Sequence, residues 1–125
     1  MKILSWNVNS IRVRKNQLLD LLKKEKPDII CLQETKVINK SFPTEEFERH
    51  KYKIFLNGIS SYNGVAILTK KNPDSFSIHN FCNRNDGRHI QLEINGVNIH
   101  SLYVPAGGEE PDSKVNDQFK HKLDF

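Results

Sequence analysis

The sequence predicts an α/β fold in which a mixed β-sheet has helices packed on one face. Three observations predict this class. A strand, a helix and a second strand follow one another in residues 2–36. Two later stretches, 52–69 and 89–104, each contain a pair of β-branched segments separated by turn residues. With 125 residues, the chain is long enough for one domain at most.

The opening unit begins with a strand over residues 2–7 that ends in a polar residue. Asn9 and Ser10 are good N-cap residues, because their side-chain oxygens accept backbone N–H groups of the first helical turn. Residues 11–26 have apolar side chains at helical spacing. Pro27 then ends the helix, since the residue before a proline avoids helical backbone angles.

The second strand, residues 28–33, is an apolar run typical of strands buried on both faces in parallel sheets. Glu34 and Lys36 follow where the run ends. Two strands joined by a crossover helix are parallel, and the connection is right-handed. If these strands are neighbours, Asn7 and Glu34 leave the sheet at the same edge, where α/β folds place ligands.

Shorter signals predict the remaining elements. The dipeptide Asn95-Gly96 is what a tight type I′ hairpin turn requires. Polar residues and glycine at 57–63 and 80–87 predict loops. The other predicted elements are a short helix at 43–50, a hairpin of strands 52–56 and 64–69, a weak strand at 75–79, a hairpin of strands 89–94 and 97–104, and a helix from 115.

These elements predict an incomplete set of layers. A sheet of five or six strands with two or three helices on one face leaves its other face uncovered. The last predicted helix also has no cap or breaker before Phe125. We therefore expect residues 1–125 to form part of a larger layered domain.

Composition limits the class of protein. Hydrophobic residues make up 37% and charged residues 27% of the chain, which excludes a wholly disordered protein. The net charge of +4 fits a polyanionic partner such as nucleic acid, although many proteins without such a partner are equally basic. No signal peptide and no membrane-spanning apolar run is present, so we expect a cytoplasmic location without membrane contact. Two cysteines without metal-ligand spacing indicate neither zinc nor a disulfide framework.

Three polar residues lie at or near the ends of predicted strands, namely Asn7, Glu34 and Tyr103. A carboxylate and an amide at one sheet edge suit a hard cation, because Mg²⁺ takes oxygen ligands from protein, water and phosphate. A nearby phenol can donate to a phosphate oxygen. Taken singly, each residue also has an ordinary structural explanation. Asn7 can form a turn, Glu34 can be a solvated charge at a strand end, and Tyr103 can be a packing aromatic.

Basic residues surround the same edge in the predicted topology. Arg12, Arg14 and Lys15 lie at the start of the first helix, and Lys36 follows Glu34. Such residues hold the phosphate backbone of DNA in many complexes, but they also form ordinary solvated surfaces. The five histidines show no metal-ligand spacing, and no glycine-rich phosphate loop is present.

Four segments in this order make the chain recognisable. They are Ser5–Arg12 (SWNVNSIR), Pro27–Lys36 (PDIICLQETK), Gly64–Leu68 (GVAIL) and Leu102–Gly107 (LYVPAG). Over essentially all 125 residues the chain resembles the N-terminal half of exonuclease III, the bacterial apurinic/apyrimidinic endonuclease family. That family belongs to the endonuclease/exonuclease/phosphatase superfamily, which includes pancreatic-type DNase. The first two segments are specific, whereas GVAIL alone is a weak signal.

The resemblance implies a DNase-like four-layer α/β sandwich, with two mixed sheets face to face and helices outside. It implies a base excision repair nuclease of the bacterial cytosol that hydrolyses phosphodiesters with Mg²⁺, or with Mn²⁺ as the alternative. The implied substrates are double-stranded DNA, degraded from 3′ to 5′, and abasic-site DNA, which is incised.

The resemblance also implies roles for individual residues. Glu34 matches the family's metal-ligand glutamate, and Asn7 matches the asparagine that helps to organise the metal site. Tyr103 matches the tyrosine that contacts the scissile phosphate. Arg12, Arg14 and Lys36 are the candidate DNA contacts. Arg88 falls where the family often has an arginine before a strand, and the resemblance gives it no role.

The sequence departs from the family pattern at two levels. Ala106 replaces the asparagine that often follows Tyr-Val-Pro. The family's later Gly-Asp-x-Asn and Ser-Asp-His segments, which orient the attacking water and bind the phosphate, have no counterpart. We therefore expect residues 1–125 to be a partial domain without the C-terminal catalytic half, inactive alone, with a complementary C-terminal polypeptide as its partner. A non-catalytic remnant that binds metal or DNA, and a phosphatase of the same superfamily, remain open.

Overall fold

The computed structural model describes residues 1–125 and contains seven β-strands and three α-helices. Single turns of 3₁₀ helix at 39–41 and 81–83 lie in the connections. In chain order the elements are β1 (Ile3–Asn7), α1 (Ile11–Glu25), β2 (Ile29–Gln33), α2 (Thr44–Glu48), β3 (Lys53–Asn57), β4 (Val65–Thr69), β5 (Ser75–Ser77), β6 (His89–Ile94), β7 (Val97–Leu102) and α3 (Asp117–Asp124).

The first sheet has the strand order β1-β2-β4-β3 and contains the predicted parallel pair, β1 with β2. The other two pairings are antiparallel. The Ser10 side chain caps α1 by accepting the Val13 N–H, and Lys26 adopts the left-handed conformation after the helix, directly before Pro27. The helix therefore begins and ends where its capping residues and proline predict.

The second sheet is the antiparallel meander β5-β6-β7. Asn95 and Gly96 connect β6 to β7 with φ of 51° and 76°, the pair of positive angles that a type I′ turn requires. This confirms the predicted hairpin. The predicted weak strand is the short edge strand β5, which pairs only three residues with β6.

Two hydrophobic cores lie on opposite faces of the first sheet, because side chains alternate along each strand. Ile30 and Leu32 of β2 point into the helix-side core, whereas Ile29 and Cys31 point into the inter-sheet core. The helix-side core comprises Val8, Ile11, Leu18, Leu22, Ile30, Leu32, Val37, Phe42, Phe47, Tyr52, Ala66 and Leu68. The inter-sheet core comprises Ile29, Cys31, Val65, Ile67, Ile90, Leu92, Ile94 and Ile99.

Strand β1 is the edge of the first sheet and differs on its two faces. Trp6 packs against the helix-side core and is half-buried. Ile3, Ser5 and Asn7 alternate with it, lie on the inter-sheet face and are exposed, Ile3 by 48%. The second sheet therefore covers β2 and β4 more completely than β1.

The expectation of one sheet with an uncovered face, drawn from the predicted elements alone, is wrong. The inter-sheet core shows that β6 and β7 pack face to face on β2 and β4 as a separate sheet. Strand patterns reveal which residues alternate but not which strands share hydrogen bonds, and that is why the elements suggested one sheet. The observed arrangement of two sheets with helices outside the first agrees with the sandwich that the resemblance implies. None of the helices has both the length and the apolar character needed to cross a bilayer.

Candidate active site

The three candidate residues lie at one rim where both sheets end. Asn7 is the last residue of β1 and pairs in register with Gln33, the last residue of β2. Glu34 follows β2 directly, and the Val8 N–H donates to the Gln33 carbonyl at 3.0 Å. Tyr103 follows β7 and its phenol donates to Glu34 Oε1. A contact across the two sheets therefore joins Tyr103 to Glu34 beside the end of β1.

Hydrogen bonds fix the backbone of Glu34 in an unusual conformation. Its φ is 56°, in the left-handed region that costs free energy for any residue except glycine. The Ser10 N–H donates to the Glu34 carbonyl at 2.8 Å, and the Ile11 N–H donates to the Thr35 carbonyl at 3.1 Å. The start of α1 thus holds the peptide that carries the carboxylate.

Gly64 supports the same segment from the β4 side. Its carbonyl accepts the Thr35 N–H at 3.1 Å, and its N–H donates to the Gly87 carbonyl at 2.9 Å. At its φ of 89°, a Cβ on residue 64 would lie 2.3 Å from Thr35 Oγ1. Only glycine fits this close approach, so Gly64 is a structural requirement of the loop that positions Glu34.

Arg88 fixes the position of Tyr103. The two residues exchange hydrogen bonds: the Tyr103 N–H donates to the Arg88 carbonyl at 2.9 Å, and Arg88 Nη1 donates to the Tyr103 carbonyl at 3.2 Å. The guanidinium lies 5.0 Å from the centre of the phenol ring, and Asp86 anchors it at 2.8 Å from Nε. This contact gives Arg88 the positioning role that the sequence did not supply.

The electrostatic surroundings keep the Tyr103 phenol protonated. The hydrogen bond to Glu34 is the main cause that raises the pKa of Tyr103, and partial burial acts in the same direction. The nearby Arg88 lowers this pKa and so opposes the effect in part. Tyr103 therefore remains a hydrogen-bond donor at neutral and moderately alkaline pH.

A second group of polar contacts lies just inside the rim and was not predicted. Gln33 Nε2 donates to Ser101 Oγ at 3.0 Å and to Ser5 Oγ at 3.3 Å, and Ser101 Oγ donates to the Leu32 carbonyl at 3.0 Å. Ser101 is buried. These bonds tie β1, β2 and β7 together two residues before Tyr103. Polar residues at inward positions near strand ends are the only sequence signal for them.

Lys36 is the one predicted DNA contact that the structure brings to the rim. Its ammonium lies 3.9 Å from Glu34 Oε2 and donates to Asn9 Oδ1. Asn9 in turn donates its N–H to Asn7 Oδ1 at 3.1 Å. Lys36 therefore lies beside Glu34 and compensates the charge of its carboxylate, and Asn9 links it to Asn7.

The arginines at the start of α1 lie apart from these contacts. Arg12 is exposed and Arg14 is half-buried, and neither side chain forms an ion pair. Lys15 forms an ion pair with Glu46 of α2 at 2.8 Å. The DNA-binding role of Arg12 and Arg14 stays a prediction.

The donors at the rim fit a hard divalent cation with few protein ligands. Glu34 offers a carboxylate and Asn7 an amide oxygen, and no group of three or more His, Cys, Asp or Glu side chains capable of holding a metal occurs. Mg²⁺ commonly binds through one or two carboxylates while water and substrate phosphates complete its shell. Zinc in structural sites takes four nitrogen or sulfur ligands, which this rim lacks.

The fold and this rim define a class of protein. The model of the endonuclease/exonuclease/phosphatase family matches residues 4–118, and the chain belongs to that family. The Haemophilus influenzae protein exodeoxyribonuclease III is 44% identical over 73 residues, covering 58% of this chain and 27% of that protein.

Solved structures give the same result. An AP endonuclease from Archaeoglobus fulgidus superimposes with a TM-score of 0.85 at 36% identity, covering 98% of this chain and 47% of that one. A 3′ phosphatase from Neisseria bound to product DNA hairpin superimposes with a TM-score of 0.88 at 32% identity and the same coverage. The chain therefore spans less than half the length of the relatives that it matches.

Proposed function

We propose that this chain supplies the Asn7, Glu34 and Tyr103 part of the active site of an exonuclease III-like DNA repair nuclease. The contact between Tyr103 and Glu34 is the observation that supports this proposal most directly. It places a phenol that can donate a hydrogen bond to phosphate next to a carboxylate that can bind a metal ion. The proposed reactions are 3′-to-5′ degradation of duplex DNA and incision beside abasic sites. The proposed location is the cytoplasm.

Glu34 and Asn7 would hold one divalent cation, Mg²⁺ or Mn²⁺. When bound there, such a cation would neutralise phosphate charge and stabilise the leaving oxygen of the hydrolysed diester. Glu34 accepts the single O–H of Tyr103 and so keeps the phenol protonated. With Glu34 bound to a cation, this O–H would be free to donate to a phosphate oxygen instead. Lys36 balances the carboxylate charge and adds a cation for the DNA backbone.

DNA is the proposed substrate for three reasons. The Neisseria relative was solved with a DNA hairpin, the chain has a net charge of +4, and cationic side chains flank the rim. Arg12 and Arg14 are proposed to contact phosphates further along the strand, because the start of α1 lies directly beside Glu34. Such contacts orient the substrate without reading its sequence.

We further propose that the chain alone has no nuclease activity and that a complementary polypeptide completes the site. Glu34 is the only carboxylate among the three rim residues, and in the proposed role it is a metal ligand, so a separate general base is required. The exposed inter-sheet face of β1 offers a surface for the remaining part of the fold.

The test combines this chain with the remaining half of the Archaeoglobus fulgidus relative. We expect the mixture to incise an abasic-site duplex in Mg²⁺, the chain alone to be inactive, and EDTA to abolish incision. Glu34→Gln should lower the rate at least about 100-fold, as loss of one electrostatic contact in an active site commonly does. Glu48→Gln, at an exposed position of α2, is the matched control and should have no effect.

The outcomes separate the alternatives. Incision by the chain alone would contradict the proposed need for a partner. Incision that survives Glu34→Gln would contradict the assignment of the rim. A folded mixture without any incision would favour a non-catalytic remnant.

A second activity is proposed because the Neisseria relative is a 3′ phosphatase. The same cation and the Tyr103 phenol would act on a terminal phosphate monoester of DNA in the way proposed for a diester. Release of phosphate from a 3′-phosphorylated duplex by the same mixture, lost in Glu34→Gln, measures this activity.

A further inference from the structure

A polar cavity adjoins the candidate active site. It has a volume of about 360 Å³ and lies between Tyr103, the loop at 105–108 and the start of α3. Its charged and titratable lining residues are Arg84, Arg88, Tyr103, Asp117 and His121. Because Tyr103 forms part of its wall, any group bound there is a neighbour of the rim.

The orientation of His121 in this cavity is determined by its one polar contact. Arg84 Nη1 lies 3.2 Å from His121 Nδ1, and a guanidinium can only donate, so Nδ1 is the acceptor. Burial and the charge of Arg84 lower the pKa of His121. The imidazole is therefore neutral and has its proton on Nε2.

His121 Nε2 is a buried donor without a partner. The residue is 8% exposed, and Nε2 is the one buried side-chain nitrogen or oxygen of the chain that has no hydrogen bond. A buried donor without an acceptor costs free energy. An acceptor from outside the chain would remove this cost.

The charges around the cavity favour an anion. Arg84 forms no ion pair, and Arg88 uses only Nε for Asp86. Asp117 is the single carboxylate in the lining, and Asp86 pairs with Arg88, so Arg84 is the lining cation that no carboxylate pairs. Arginine presents several donors in a fixed geometry that matches phosphate oxygens.

Close packing fixes the walls of the cavity. A Cβ on Gly107 would lie 2.7 Å from Lys122 Cδ, and one on Gly108 would lie 2.5 Å from Gln118 Oε1. Asn116 also donates through Nδ2 to the Gly107 carbonyl at 3.1 Å. The loop and α3 are thus joined tightly.

We propose that this cavity binds a second phosphate of the DNA strand, next to the phosphate at Glu34 and Tyr103, with Arg84 and His121 Nε2–H as donors. This inference rests on the proposed function, because the strand must cross the rim to place its neighbouring phosphate here. Arg88 links the two subsites, since it contacts Tyr103 and also lines the cavity.

The first experiment uses inorganic phosphate and the full 125-residue chain. The His121 ring nitrogens are followed by NMR during the titration. We expect the Nε2 signal to move in the wild type. Arg84→Gln should weaken phosphate binding roughly tenfold, because it removes a charged hydrogen-bond donor. The control is Arg49→Gln, at an exposed arginine after α2, and Arg84→Lys should restore part of the affinity.

The second experiment measures binding of a short DNA duplex as a function of salt. Arg84→Gln should reduce the slope of log K against log salt by about one, as expected for one lost phosphate contact. Arg49→Gln should leave the slope unchanged.

The two experiments distinguish the possible failures. An Nε2 signal that does not respond to phosphate, or responds equally in Arg84→Gln, overturns the anion site. A phosphate response that depends on Arg84, together with an unchanged duplex slope, overturns the DNA assignment and indicates a site for free anions. If the wild type binds phosphate through Arg84 but binds no duplex, either alone or mixed with the Archaeoglobus fulgidus half, the proposed function fails as well, and this is seen without any variant.

Discussion

The helix-side core and the inter-sheet core share the strands of the first sheet but are closed to different degrees. The helix-side core contains Phe47 and Leu18, both fully buried, and the buried Tyr52 phenol donates to the Pro27 carbonyl at its margin. The inter-sheet core consists almost entirely of aliphatic residues, and near β1 its margin is open, with Ile3 48% exposed. The core on one face of the sheet is closed, whereas the core on the other face is bordered by polar side chains.

This difference explains where the candidate site lies. Tyr103 comes from the second sheet and Glu34 from the first, so their contact depends on how the two sheets pack. The polar contacts of Gln33 and Ser101 replace apolar packing at that end of the inter-sheet core. We infer that the helix-side core supplies most of the stability, while the inter-sheet margin determines the geometry of the site.

The largest expected effect compares the same side chain in the helix-side core and at the exposed edge of the second sheet. Phe47→Ala removes a fully buried ring from the helix-side core and should lower the free energy of unfolding by about 3–5 kcal/mol. Phe76→Ala, at a ring of β5 that is 49% exposed, should cost about 1 kcal/mol or less. Urea unfolding followed by circular dichroism measures both. Equal losses would contradict the assignment of Phe47 to a closed core.

A smaller effect is expected at the polar margin. Ser101→Ala leaves the Leu32 carbonyl and Gln33 Nε2 without their shared partner and should cost about 1–2 kcal/mol. The same substitution at the exposed Ser77 should change stability by less than about 0.5 kcal/mol. If Ser101→Ala were as mild as Ser77→Ala, the buried hydroxyl would not be a structural link between the sheets.

The smallest effect is a pH dependence. The pKa of Tyr103 is higher in the folded state than in the unfolded chain. Between these two pKa values the folded state binds more protons than the unfolded state. The stabilisation is therefore complete below about pH 10, the usual tyrosine pKa, and is lost as the pH rises through the folded-state pKa. Urea midpoints between pH 8 and 11 should fall more steeply in the wild type than in Tyr103→Phe.

The comparison with Tyr103→Phe is necessary because other groups titrate in the same range. Burial raises the pKa of Cys31 to about 11 and that of Tyr52 to about 12. Cys31 and Tyr52 contribute equally to the pH dependence of the wild type and of Tyr103→Phe. Parallel pH curves for the wild type and Tyr103→Phe would show that the phenol–carboxylate bond does not stabilise the fold.

Local signals in the sequence predicted part of this structure. Ser10 and Pro27 define the limits of α1, and Asn95-Gly96 defines the second hairpin, because capping, proline sterics and positive φ act on neighbouring residues. The parallel connection also predicted that Asn7 and Glu34 leave the sheet at the same edge if β1 and β2 are neighbours, and the two strands do pair. These predictions needed no knowledge of distant contacts.

The rest depends on contacts between residues that are far apart in the chain. The Tyr103 phenol and the Glu34 carboxylate are separated by 69 positions, as are Ser101 and Leu32. Strand patterns do not specify how two sheets pack, so neither contact could be derived from the residues. His121 is similar, since nothing in its helix predicts that one ring nitrogen is buried without a partner.

The placement of Trp6 has a practical consequence. It is the only tryptophan of the chain, and its indole faces the helices rather than the second sheet. Its fluorescence emission therefore monitors one face of the molecule without any introduced label. A variant whose emission is unchanged has kept the surroundings of this indole on the helix side of the first sheet.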